Sequence, residues 1–354
     1  MKTEYYLYQN TIGIHTFEVL RKIDLQRAEQ ICHAAESRNH HEWTNLSDPI
    51  EWAPGMRIRM RLAESIGNLF VIINPTILIL GDTREETNYF DILNFTGQYP
   101  ERVQQCFLSA WQGIDCEWTL DTFALTRADL CMNILTEFSI PEFLALLRKT
   151  PYCPKYEKNC YTDDEKADQR QFKISVSDQA LTVYNKTEQE QACYQNYAVT
   201  ETILRVELQM YARRIHCWMG IDLKDIAVTE TLAWLSKMAP TILPYEVGRI
   251  ISRGEYRPLE SYNFAIRTEF GMHSAVKERL FRILQTYAAA VDAYAARKAL
   301  IEDLGYSQYR AAMKQFAIWN LAPVPLEQHS AAARIPGLPN IVQTLCDSYN
   351  MNKR

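Results

Sequence analysis

Along residues 56–62, MRIRMRL, apolar and cationic side chains alternate without a break. Met56, Ile58, Met60 and Leu62 fall on one side, and Arg57, Arg59 and Arg61 on the other. That period of two predicts a strand with one buried and one cationic face. ESIGN, 64–68, supplies a turn, and LFVIINPTILIL reads as one or two further strands broken near Asn74-Pro75. The three arginines are either solvated edge-strand charges or phosphate contacts. The spacing then becomes helical in PERVQQCFLSAWQ, 100–112, through Val103, Cys106, Phe107 and Trp111, with Pro100 at the start. A strand, LTRADLCMNIL, follows at 125–135. Next comes a helix, SIPEFLALLRK, with Ser139 as its cap.

The order then recurs. FKISVSDQALTVYNK, 172–186, predicts two strands around a turn at Ser177-Asp178-Gln179. The polar stretch 187–199 reads as a loop or short helix, TILRVELQMYARRI (202–215) as a strand, and DLKDIAVTETLAWLSKM (222–238) as a helix. Each half reads hairpin, connector, strand, helix. The expected fold is therefore α+β: duplicated β-hairpin/βα units, 51–150 and 151–240, form a mostly antiparallel sheet with helices on one face. Residues 1–50 read as an N-terminal extension carrying the helix DLQRAEQICHAAESR. Residues 241–354 are Ala-rich and helical, an all-α C-terminal domain. Within it the helices around Gly305 resemble a helix-turn-helix, with Ser307 as the second cap and Arg310 and Lys314 as candidate DNA contacts.

Composition narrows the function classes. The 354 residues are 47% hydrophobic and 23% charged, with a formal charge of −5, so any nucleic-acid contact must come from local basic faces. NLFVIINPTILIL falls short of the roughly 20 apolar residues that cross a bilayer, and MKTEYYLYQNTIG lacks the apolar core of a signal peptide. Nine scattered cysteines point to reduced thiols in a cytoplasmic protein. There is no P-loop, G-x-G-x-x-G, G-x-S-x-G or H-E-x-x-H.

The candidate chemistry sits in two matching stretches, TRADLC (126–131) and LRVELQ (204–209). Alternation puts Arg127 and Asp129 on one face of the first strand, and Arg205 and Glu207 on one face of the second. Pseudo-symmetric halves would bring Asp129 and Glu207 together, and two carboxylates with room for water suit Mg²⁺ or Mn²⁺. The arginines beside them would fork onto phosphate oxygens. The competing reading is that each arginine pairs with its acid as a surface ion pair. On the second hairpin Thr182, Tyr184 and Lys186 share a face, where a phenol and an ammonium project together.

The ordered set LTRADLCMN, LTVYNKTEQE and ILRVELQM resembles the rolling-circle replication initiators of plasmids and filamentous phages, and the relaxase-like initiators of integrative elements. Those proteins show an R-x-D strand, a Y-D-K strand followed by an acid, and an R-x-E strand in that order. The resemblance covers residues 50–240. It implies that Asp129 and Glu207 are metal ligands, that Tyr184 and Lys186 belong to the active-site hairpin, and that Lys186 and Arg205 supply a positive field to a tyrosine nucleophile. A tyrosine would attack a DNA phosphodiester, leaving a 5′-phosphotyrosine and a free 3′-hydroxyl. The implied partner is DNA with a single-stranded or hairpin origin, and a homodimer is compatible with it. The family's nucleophile usually precedes the Y-D-K strand. Here Phe172 occupies that strand, Tyr161 and then Tyr156 are the nearest upstream candidates, and Asn185 replaces the usual Asp. A non-catalytic DNA-binding or regulatory protein on the same scaffold is the alternative, and a protein with no nucleic-acid role the third reading.

Overall fold

The computed structural model describes residues 5–39, 48–81, 92–114, 118–158, 170–194, 201–269, 271–327, 330 and 332–352. The chain opens with a twenty-residue strand, β1 (Tyr5–Asp24), followed by α1 (Leu25–Asn39), β2 (Ile50–Ala53), β3 (Met56–Ala63) and β4 (Ile66–Ile73). Two helices, α2 (Pro75–Leu80) and α3 (Tyr99–Ala110), lead to β5 (Ala124–Thr136) and α4 (Ile140–Lys149). Then come β6 (Glu157–Lys158), β7 (Gln171–Val176), β8 (Gln179–Asn185), α5 (Lys186–Tyr194) and β9 (Ile203–Tyr211). These nine strands form one antiparallel sheet in the order β2-β3-β4-β1-β5-β9-β8-β7-β6.

The sheet is built twice, but out of phase with the repeat the sequence suggests. Strand, helix and three-stranded meander occur as β1-α1-β2-β3-β4 and again as β5-α4-β7-β8-β9. In each unit the last meander strand returns to pair with the first: β4 with β1, and β9 with β5. The two units join where β1 pairs with β5. The β1 part of the expected N-terminal extension is therefore not an extension, because it lies near the centre of the sheet. Nor are TRADLC and LRVELQ copies of each other. They are the first and last strands of a single unit, and they are neighbours because a meander has to close on its starting strand.

The remaining helices are α6 (Ala212–Met219), α7 (Val228–Ile250), α8 (Leu259–Thr268), α9 (Ser274–Ala289), α10 (Ala293–Leu304), α11 (Tyr306–Ile318) and α12 (Leu338–Asn352). A short ladder, β10 (Glu255–Tyr256) with β11 (Ile335–Pro336), ties the last segment back. Period two along the strands sends Phe17, Val19, Met60, Val71, Leu130, Leu181 and Leu208 to one face, where they form a single buried cluster with residues of α4, α7 and α12. The expected boundary near 240 is thus absent: α7 runs through it, and α12 packs on α7 and β1.

Three local expectations change for identifiable reasons. TILIL is helix α2, because the Asn74 side chain accepts hydrogen bonds from the Thr76 and Ile77 amides and Pro75 sets the first turn. The expected strand end ARRI is the start of α6. Gly305, with φ 78°, both ends α10 and precedes α11, so Ser307 lies inside the helix and does not cap it.

Candidate functional site

The face of the sheet opposite the helices carries most of the candidate polar side chains, interrupted on β4 by Phe70 and Ile72. From β3 it carries Arg57, Arg59 and Arg61; from β5, Arg127, Asp129 and Asn133; from β9, Arg205, Glu207 and Gln209; from β8, Thr182 and Tyr184. Register, more than proximity in sequence, assembles the centre. Asp129 is opposite Gln209 and Glu207 is opposite Cys131, which makes the two acids diagonal neighbours on one face. Such positions are about 7–8 Å apart along the backbone, within joint reach of one ligand.

β1 supplies the rest. Its pairing steps from Ile14↔Leu130 to Thr16↔Asp129, so His15 is the extra residue of a β-bulge. The bulge directs both His15 and Thr16 to the polar side. His15 Nδ1 lies 3.1 Å from Glu207 Oε2, and the Thr16 hydroxyl donates to Asp129 Oδ2. One turn of the pleat away, buried Glu18 accepts from the Thr126 hydroxyl at 2.9 Å and faces the Arg59 guanidinium at 3.6 Å. None of these β1 residues was among the sequence candidates. The slip of phase in TIGIHTFEV, where the apolar positions jump from Ile12 and Ile14 to Phe17 and Val19, is the signal that marks the bulge.

The two acids sit in different fields although both are buried. Burial pushes the Asp129 carboxyl up to about 6, with the Glu207 charge adding to the rise and Arg127 opposing it. Burial acts to raise Glu207 too, but the His15 hydrogen bond and the charges of His15, Arg205 and Arg127 outweigh it and hold the group below the usual carboxylate range. Arg127 Nε is 3.1 Å from Asp129 Oδ1. The pair is not aligned as a hydrogen bond, and both atoms are buried without one. A buried carboxylate oxygen in that condition is a natural position for a cation or a donor from a ligand.

Arg205 is fully buried, its Nε donating to Asn133 Oδ1 at 2.7 Å and its Nη1 to the Tyr184 hydroxyl at 3.4 Å. Lys186 does not continue the strand face with Thr182 and Tyr184. It opens α5, and its ammonium is 2.7 Å from Glu190 in a buried i,i+4 pair. Arg57 and Arg61 are exposed, whereas Arg59 lies over the Phe70 ring at 4.8 Å. Arg310 and Lys314 are exposed on α11, away from the sheet's polar face. Tyr161 lies outside the described residues. The upstream alternative Tyr156 is buried on the helix side, its hydroxyl bonded to Gln179.

Among the described residues no three His, Cys, Asp or Glu side chains converge to hold a metal ion by themselves. No helix is long and apolar enough to cross a membrane. No protein-family model matches the chain, and neither does any curated protein.

Proposed function

We propose that this chain is a DNA-nicking and joining protein that initiates replication or transfer of a mobile element, with Asp129 and Glu207 holding a divalent cation. The observation that carries the reading is the convergence of these two acids, flanked by Arg127 and Arg205, on one polar sheet face. The residues fit Mg²⁺ or Mn²⁺ as an open site, since Mg²⁺ usually takes one or two carboxylates and completes its shell with water and substrate phosphate. The unbonded Asp129 Oδ1 is the atom that such an ion would engage. When bound, the ion would polarise the scissile phosphate.

The protein's own residues supply the rest. Arg127 and Arg205 offset charge that builds on the phosphate oxygens, and the exposed Arg57 and Arg61 extend the positive strip along which the DNA backbone lies. In the proposed step a tyrosine oxygen forms a bond to phosphorus as the bond to the 3′-oxygen breaks. The phenol proton leaves to a base, and the 3′-oxygen takes up a proton. In this reading the neutral form of His15, oriented through its Nδ1 contact with Glu207, is the base that takes the phenol proton. Tyr184 is held beneath Arg205 and acts in positioning, which leaves Tyr161 as the proposed nucleophile.

The closed pairs Lys186–Glu190 and His15–Glu207 favour a second reading, a DNA-binding or regulatory protein without catalysis. A labelled pool of single-stranded hairpin oligonucleotides with Mn²⁺ separates the two. A covalent protein–DNA adduct on denaturing gels supports nicking. Asp129→Asn and Glu207→Gln should each abolish the adduct with salt-dependent binding intact, and Tyr161→Phe should do the same. Cleavage retained in both carboxylate variants would remove these residues from the mechanism.

A further inference from the structure

On the helix-bearing side, a cavity of about 590 Å³ opens between the segment after α4 and helices α9, α10 and α11. That volume lies within the range of small-ligand sites, about 300–1,000 Å³. Six of the fourteen residues in its wall are tyrosines. Tyr287 and Tyr309 form the floor, their hydroxyls bonded to each other at 2.9 Å, so the buried end is satisfied and needs no ligand. The mouth differs. Tyr294 is 65% exposed and Tyr306 57% exposed, and neither ring lies against another ring or a cation among the described residues.

Two guanidiniums complete the mouth. Arg297 follows Tyr294 by three positions on α10, and Arg310 follows Tyr306 by four on α11, so each helix presents one tyrosine and one arginine on the same face. Arg297 is partly buried; burial raises the titration of Tyr152, Tyr287 and Tyr309, and the Arg297 charge opposes that rise at all three, which places it within reach of the cavity. Neither arginine has a hydrogen bond or ion pair among the described residues. The nearest acid in the wall, Asp292, uses its carboxylate to cap α10 through the Ala295 amide.

We propose that this cavity binds a nucleotide unit, its base against the Tyr294 and Tyr306 rings and its phosphate on Arg297 and Arg310. Flat unpaired phenol rings beside unpaired guanidiniums are the chemistry that holds single-stranded nucleic acid without sequence preference. The two tyrosine–arginine pairs need no matching base edge, because every base has a π face. The site does not rest on the cleavage chemistry of the sheet: it shares no residue with the opposite face, and it would serve equally in a protein that binds DNA without cutting it.

The test uses the full chain and two probes: a fluorescein-labelled oligodeoxythymidylate followed by anisotropy, and dTMP followed by ligand-observed NMR. Loss of one base stack by alanine substitution weakens binding by about fivefold or more. Tyr306→Ala and Arg297→Gln should each show that loss on the probe that binds, whereas Tyr306→Phe, which keeps the π face, should bind like the parent. Arg297→Gln should also flatten the salt dependence by about 0.7 in log–log slope, the value of one single-strand phosphate contact. Binding of the oligonucleotide alone assigns the site to a strand, and binding of dTMP as well assigns it to free nucleotides too. Binding by neither probe, or affinities unchanged in Tyr306→Ala and Arg297→Gln, overturns the proposal. Lys237→Gln, exposed on α7 and outside the cavity wall, serves as the control and should bind both probes normally; neither cavity variant touches the sheet's polar face, so failure here is distinct from failure of the nicking reading.

Discussion

Asp129 and Glu207 show how one face can hold two carboxylates in different states. Asp129 has a misaligned arginine, a threonine hydroxyl and the more distant His15 charge to set against burial and the Glu207 charge, while Glu207 has a direct His15 hydrogen bond and two arginines within its field. A raised native titration contributes stability that is complete below the unfolded value and is lost as pH rises through the folded one. Urea titrations without divalent ions should therefore show Asp129 costing stability as pH climbs from 3.8 through about 6. A bound cation reverses the preference, because it takes the ionised carboxylate. Mn²⁺ affinity, read by calorimetry or electron paramagnetic resonance, should rise through about pH 6 and level off above it. Asp129→Asn should abolish that step. An Mn²⁺ affinity flat from pH 5 to 8 would mean that Asp129 is not a ligand. The alternation of TRADLC and LRVELQ already put each arginine and acid on a shared face. The role of His15 was not legible, because a bulge is a property of pairing between strands and has no residue type of its own.

Elements end and begin here on single side chains. Asn74 turns an apolar run that reads as strand into a helix by accepting from two amides of its first turn. Asn74→Ala should cost about 1 kcal/mol, the usual value of a lost cap, measured from the urea midpoint at unchanged slope. Buried Glu246 on α7 knits three elements together. It accepts from Trp218 Nε1 at 2.8 Å, from Gln179 Nε2 at 3.2 Å and from the Arg214 guanidinium, and Arg249 lies at 3.3 Å. Removing it leaves the Arg214 guanidinium and two donors without their partner in the interior, while Arg249 stays at the surface. Glu246→Ala should therefore destabilise by roughly 3–5 kcal/mol, far beyond an exposed ion pair. A loss under 1 kcal/mol would show that water replaces the carboxylate. The helical periodicity of 222–238 located α7 but not its end, which lies at Ile250, past Pro240 and Pro244. Tertiary packing carries the helix through both, since Ala239, Pro240, Leu243 and Pro244 are all buried against the sheet and α12.

At the scale of the whole molecule, the long central strand and the last helix are what close the fold. β1 is hydrogen-bonded on both edges, and α12 packs across α7 and β1 with seven of its residues buried. Ending the chain at Gly337 would expose that strip of the core, so the truncated protein should aggregate or bind hydrophobic dyes. The strands β3, β5, β7, β8 and β9, the helices α3 and α4, and the sorting of Arg127, Asp129, Arg205 and Glu207 onto one face were set by the sequence alone, because a period of two or 3.6 is written in neighbouring residues. Which copies pair, that β1 is central, and that Asp129 meets Glu207 through a returning meander strand were decided only in three dimensions. The reason is that register and strand order depend on contacts between segments far apart in the chain, and local spacing holds no record of them.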